Sequence, residues 1–185
     1  MDNKISQLIG ITLTLFSLSA FAEDAPADKA AANPLTISTN AFLDQGAMPV
    51  LYTCDGKDVS PQLSWTGAPD KTQAYALILS DQDAPNGTYY HWVLYNIPKS
   101  VNTLEEGVKT APAGASFGKN SMSKEQYNGP CPPKGKAHTY TFRLYALDTK
   151  LTLPKGADAA AVIKAMDKHI VGKVDLSAVY SRWIN

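Results

Sequence analysis

Thr139-Tyr140-Thr141-Phe142-Arg143-Leu144-Tyr145-Ala146-Leu147 is a run of β-branched and aromatic residues in a period-2 pattern, with no glycine or proline inside it. Such residues fit a pleated, half-buried surface, so the run predicts a strand. Shorter runs of the same kind recur before it. Leu35 to Ser38, Gln62 to Trp65 and His91 to Ile97 alternate, while Ala74 to Leu79 is continuously apolar, as in a strand buried on both faces. Val174 to Trp183 predicts a last strand. Only Ala157 to Val171 departs from this: Ala161, Val162, Ala165, Met166 and Ile170 fall near helical spacing, and Gly172 follows as a stop signal. The expected fold class is mostly β with few helices.

The chain has 185 residues, enough for one domain of ordinary size. Its 17 basic and 17 acidic residues cancel, and no Lys/Arg-rich run occurs. A nucleic-acid partner needs a basic surface, so none is expected. Lys4, the apolar stretch Leu8 to Leu18 and the small-x-small triplet Ala20-Phe21-Ala22 read as a secretory signal over residues 1–22. Cleavage would leave Glu23 first, and no later stretch is long enough to cross a membrane. Residues 23–34 are small, polar and flanked by proline, which predicts a flexible linker ahead of a domain at 35–185. The expected location is periplasmic or secreted.

Four polar features sit at strand ends, where a side chain can point into a cleft. They are Asp81-Gln82-Asp83-Ala84-Pro85, His91, the loop Gly129-Pro130-Cys131-Pro132-Pro133-Lys134-Gly135, and His138 with Tyr140. On a strand, His138 and Tyr140 are two apart and face the same side. Two imidazoles, a phenol and a carboxylate can bind an oxyanion, the carboxylate orienting one ring while N–H and O–H groups donate to the ligand. An Asp beside a histidine is expected to raise that imidazole's pKa. The set offers no obvious nucleophile. The segment Glu105 to Pro133 has little periodicity and many Gly, Pro, Ser and Asn residues, and loops of that length are often functional.

These features resemble the phosphatidylethanolamine-binding protein family in its bacterial YbhB/YbcL branch, also called Raf kinase inhibitor-like. The likeness runs from Ser60-Pro61-Gln62-Leu63-Ser64-Trp65 through Asp81 to Pro85, His91 to Pro98 and Pro130 to Tyr140. It implies a large antiparallel sheet packed with a smaller one, an anion site, no catalysis and no cofactor. It puts Asp81, His91, His138 and Tyr140 on the ligand, with Asp83, Pro132 and Pro133 shaping the walls. It also implies a homodimer. Two departures stand out: Gln82 replaces the motif's first proline, and Asn120-Ser121-Met122-Ser123 replaces the branch's usual loop sequence near the mouth of the site.

Three rival readings remain at this level. One is a protein inhibitor, acting on an extracellular protease or another protein target, since relatives are known as kinase or protease inhibitors. Gly114-Ala115-Ser116-Phe117-Gly118 fits a serine hydrolase pattern, but the context lacks the strand before and helix after that a nucleophile elbow needs. Cys54, His91, Cys131 and His138 could be counted as zinc ligands, but they lack close paired spacing. An exported chain with two cysteines, one in Thr53-Cys54-Asp55-Gly56 and one in Pro130-Cys131-Pro132, predicts a Cys54–Cys131 disulfide. The third histidine, His169, is expected near the C-terminal end of the helix, where a cation suits the helix dipole.

Overall fold

The computed structural model describes residues 34–183. The signal at 1–22 and nearly all of the linker at 23–34 lie outside these residues. Strands β1 (Thr36–Ser38), β3 (Leu63–Thr66) and β6 (Thr103–Leu104) form a three-stranded sheet in the order β1-β3-β6. The larger sheet takes β2 (Gly46–Ala47), β9 (Ile170–Ser181), β8 (Ala137–Leu147), β4 (Ala74–Asp81), β5 (Tyr89–Pro98) and β7 (Ser116–Phe117) in the order β2-β9-β8-β4-β5-β7. All its pairings are antiparallel except β2 with β9. Among the described residues one α-helix, α1 (Ala159–Met166), and a short 3-10 turn, Val50–Tyr52, complete the set. The expected fold class is the one observed.

β4 is continuously apolar because both of its faces are covered. Leu77 and Leu79 turn toward a core shared with Trp92, Phe142 and Leu144 of the large sheet and Leu63 and Trp65 of the small one. Ala76 and Ile78 face the other way, onto Val93, Tyr95, Leu151, Val162 and Met166. The second core exists because α1 and the segment before it lie on the outer face. Asn96 fastens that segment: its side-chain amide donates to the Leu151 carbonyl at 2.9 Å and its carbonyl accepts from Leu151 N–H at 2.7 Å. Asn96 has φ 57°, which asparagine tolerates better than most side chains.

The alternation expected for His91 to Ile97 is not what the structure has. His91 through Tyr95 are all buried. Ser80 pairs with Tyr90 and Leu79 with Trp92, so His91 is an extra residue in a β-bulge. A bulge re-aims side chains. Here it leaves His91 facing the end of the sheet while Trp92 stays in the core.

The helix is shorter than the Ala157 to Val171 that the spacing predicts. Asp158 caps it, accepting from Ala161 N–H at 2.8 Å, and the chain turns after Met166. From Ile170 onward it pairs with β8, Gly172 opposite Ala146, so Gly172 lies inside a strand and stops nothing. A long ladder beside an eleven-residue strand outweighs the weak local preference of this segment for helix. His169 consequently lies beyond the helix, with Nδ1 2.9 Å from Asp148 Oδ1. It does not sit on the helix dipole as expected.

Candidate functional site

The end of the large sheet gathers the four expected residues. Asp81, last in β4, lies opposite Tyr140 on β8 and Tyr89 on β5, so these side chains share a face. His138, two residues before Tyr140, shares it too. The bulge brings in His91, whose ring is 4.7 Å from that of Tyr89 and 5.3 Å from that of Tyr140. Asp81, His91 and His138 are each 4% exposed and Tyr140 is fully buried. Together they form the floor of a cavity of about 490 Å³, the size of a small-molecule site.

Each floor residue is held by a specific bond. Asp81 Oδ2 accepts from His138 Nδ1 at 2.7 Å, and its Oδ1 accepts from Asp83 N–H at 2.8 Å. That second bond is an Asx turn, and it constrains the backbone where Gln82 stands in place of a proline. His91 Nδ1 donates to the Asn128 carbonyl at 2.8 Å. Two buried polar atoms of the floor, His91 Nε2 and the Tyr140 hydroxyl, have no hydrogen-bond partner. Buried polar groups are normally satisfied, so these two atoms are left to bond with whatever occupies the cavity, water included.

Burial pushes the His91 imidazole below its ordinary value; the charges of Asp81 and Asp58 act in the opposite direction without overcoming it. The expected raising by an adjacent Asp does not decide His91, because the ring bonded to Asp81 is that of His138. The His91 ring has lost water and touches no carboxylate. Burial, and then the charge of Asp81, hold the Tyr140 phenol far above its ordinary range, so it remains a donor.

The wall opposite the sheet is built by the loop at 128–133. Cys54 and Cys131 are joined, with their Cα atoms 5.4 Å apart, and Cys54 N–H donates to the Pro130 carbonyl at 3.1 Å. Asp58 Oδ1 accepts from Gly129 N–H at 2.5 Å. Gly129 must be a glycine here, because a Cβ would collide with the Tyr52 carbonyl oxygen. Pro132 and Pro133 line the cavity. Asp83 does not. It is exposed, and its carboxylate accepts from Thr139 N–H at 2.7 Å, tying the turn after β4 to the strand that carries His138 and Tyr140.

Sequence reasoning missed Asp58, Tyr89 and Asn128, which line the cavity, and reached Met122 only as part of a loop near its mouth. Tyr89 was findable, since it lies two residues before His91. Met122 belongs to the divergent loop. Asn120 Oδ1 accepts from Met122 and Lys124 N–H, each at 3.0 Å, and this turn sets the thioether on the rim beside Ala84 and Pro85. Asp58 and Asn128 are brought in only by the folding of distant loops.

Two of the rivals, the serine hydrolase and the zinc site, find no support in the geometry. Ser116 lies in β7 opposite Tyr95, and its region of the surface carries no histidine. The three histidines bond instead to Asn128, Asp81 and Asp148. Both sulfurs of the zinc alternative are consumed by the disulfide. Among the described residues no cluster of three His, Cys, Asp or Glu suits a metal, and no helix is long and apolar enough to cross a membrane.

Two sheets sharing a core, with a histidine- and aspartate-floored cavity at one end of the larger, define the class of β fold. The chain belongs to the phosphatidylethanolamine-binding protein family, whose sequence profile matches residues 38–181. It is 46% identical over 151 residues to a UPF0098 protein of Methanothermobacter thermautotrophicus, covering 80% of this chain and 99% of that one. Among solved structures it resembles CT736 of Chlamydia trachomatis, a phosphatidylethanolamine-binding protein homologue. That match has TM-score 0.75 and 32% identity, and covers 81% of this chain and 99% of CT736. It also resembles E. coli YbcL, described as a member of the mammalian family. There the TM-score is 0.76 and the identity 28%, with 80% of this chain and 98% of YbcL covered.

Proposed function

We propose that this protein is an exported, non-catalytic binding protein of the Raf kinase inhibitor-like branch, and that it takes a small phosphate-like oxyanion on Asp81, His91, His138 and Tyr140. The observation that carries this reading is the pair of buried, unpartnered polar atoms on the cavity floor, His91 Nε2 and Tyr140 Oη. A phosphoryl group placed between them would satisfy both, with the His138–Asp81 pair beside it. The lining holds no serine, lysine or free thiol to attack a substrate, which favours binding over turnover. Export is supported by the signal-like residues 1–22, followed by a linker to residue 34, and by the Cys54–Cys131 disulfide, a bond favoured outside the reducing cytoplasm. Isothermal titration calorimetry with phosphate and phosphorylethanolamine tests the reading. Saturable one-site binding is expected, and its absence for both ligands would overturn the assignment.

A further inference from the structure

Each histidine on the cavity floor has the hydrogen of its Nδ1 directed by a neighbour. The Asn128 carbonyl can only accept, so the hydrogen of the His91 ring lies on Nδ1, and Nε2 of the neutral ring is a bare acceptor. The Asp81 carboxylate takes the Nδ1 hydrogen of His138 and so fixes the orientation of that ring, which also lines the cavity. Asp58 and Asp81 add carboxylates, while the lining includes no lysine and no arginine. Against these acceptors stands the Tyr140 hydroxyl as the buried donor. The groups facing His91 are Asp81, Asp58, Tyr89, Tyr140 and the Asn128 carbonyl, and none is a cation. Burial keeps the ring below its ordinary value, so it is neutral in the empty site near pH 7. A bare, fully ionised anion would meet lone pairs and negative charge. A group that brings its own hydrogen would not.

We propose that the site takes its phosphoryl ligand with one proton, the P–OH donating to His91 Nε2 and the Tyr140 hydroxyl donating to an unprotonated oxygen. It therefore prefers phosphate monoesters and inorganic phosphate to phosphodiesters and sulfate. The proposal rests on the oxyanion reading above. It adds a substrate class: singly protonated oxyacids, as opposed to anions of the same charge that carry no hydrogen. The proton need not stay on the ligand, since a dianion on a protonated His91 contains the same atoms. A diester or sulfate has no such proton, so its binding must draw one from solvent onto a ring that burial keeps neutral.

The test is calorimetry at pH 5.5 with four probes: inorganic phosphate, methyl phosphate, dimethyl phosphate and sulfate. Methyl phosphate has a second pKa of about 6, so at this pH it is largely a monoanion with the same charge as dimethyl phosphate but with a P–OH. Methyl phosphate and phosphate are expected to bind roughly tenfold or more tightly than the other two, the value of one hydrogen bond involving a charged group. At pH 7.5, methyl phosphate binding should take up about one proton, read from the dependence of its enthalpy on buffer. His91→Gln, whose amide can offer a donor in place of the lone pair, should narrow the gap, with its unfolding midpoint measured to confirm that it folds. If all four probes bind alike, or His91→Gln leaves the gap unchanged, the protonated-ligand inference falls and the oxyanion reading stands. If no probe binds, both fall.

Discussion

His138 Nδ1 meets Asp81 at 2.7 Å with both side chains 5% exposed, whereas His169 Nδ1 meets Asp148 at 2.9 Å with side chains 44% and 42% exposed. The contacts are almost the same length, but their surroundings differ. The His169 pair can exchange its partners for water at any time, as exposed ion pairs do. At the Asp81 end of the sheet both side chains are buried, each carboxylate oxygen has a protein donor, and neighbouring polar atoms face a cavity. A histidine–aspartate contact is held in one geometry when burial limits water as the alternative partner. Proximity alone leaves it on the surface with little consequence.

The sharpest way to break this comparison is to remove the two carboxylates in turn. Asp81→Ala should cost about 3 to 5 kcal/mol in folding stability, since it strands a buried partner and unties Asp83 N–H. Asp148→Ala should cost between about 0 and 1 kcal/mol. Urea unfolding of both variants measures the difference, and equal losses would show that burial is not what separates the pairs. Next in size is the disulfide that holds the wall over the buried pair. It joins residues 77 apart, and replacing both cysteines by serine should lower stability by about 2 to 4 kcal/mol. Titration of unreduced, denatured protein should find no free thiol.

Ligand affinity sharpens the comparison further. His91→Ala and His138→Ala should each weaken phosphate binding by about 1.5 to 3 kcal/mol, the worth of a hydrogen bond to a charged group. His169→Ala and Ser116→Ala should leave it unchanged. Calorimetry would decide, and a loss at His169 equal to that at His91 would misplace the site. The smallest expected effect concerns pH. Because burial lowers the His91 imidazole from 6.5, the unfolded chain binds more protons than the folded one between the lowered value and 6.5. Stability contributed by the neutral ring is therefore complete above 6.5 and is lost as pH falls through that window. Thermal melts of the ligand-free protein from pH 7.5 downward should show this decline, and His91→Ala should flatten it.

The sequence by itself determined the strands at Ala74 to Leu79 and Thr139 to Leu147 and the pairing of the two cysteines, and it singled out Asp81, His91, His138 and Tyr140, which the fold brings together. Those signals are local: period-2 patterning, turn residues and a small family-like motif survive in a linear string because neighbours along the chain produce them. What only the tertiary structure decided depends on register between strands far apart in sequence. The bulge at His91 exists because Leu79 pairs with Trp92 while Ser80 pairs with Tyr90. β9 begins at Ile170 because β8 is there to receive it, although the local spacing favours helix. Asp58 reaches the cavity because Gly129 lets a distant loop close over it. A histidine's proton position is of the same kind: His91 faces the cavity with a lone pair only because folding puts the Asn128 carbonyl, 37 residues away, against its other nitrogen.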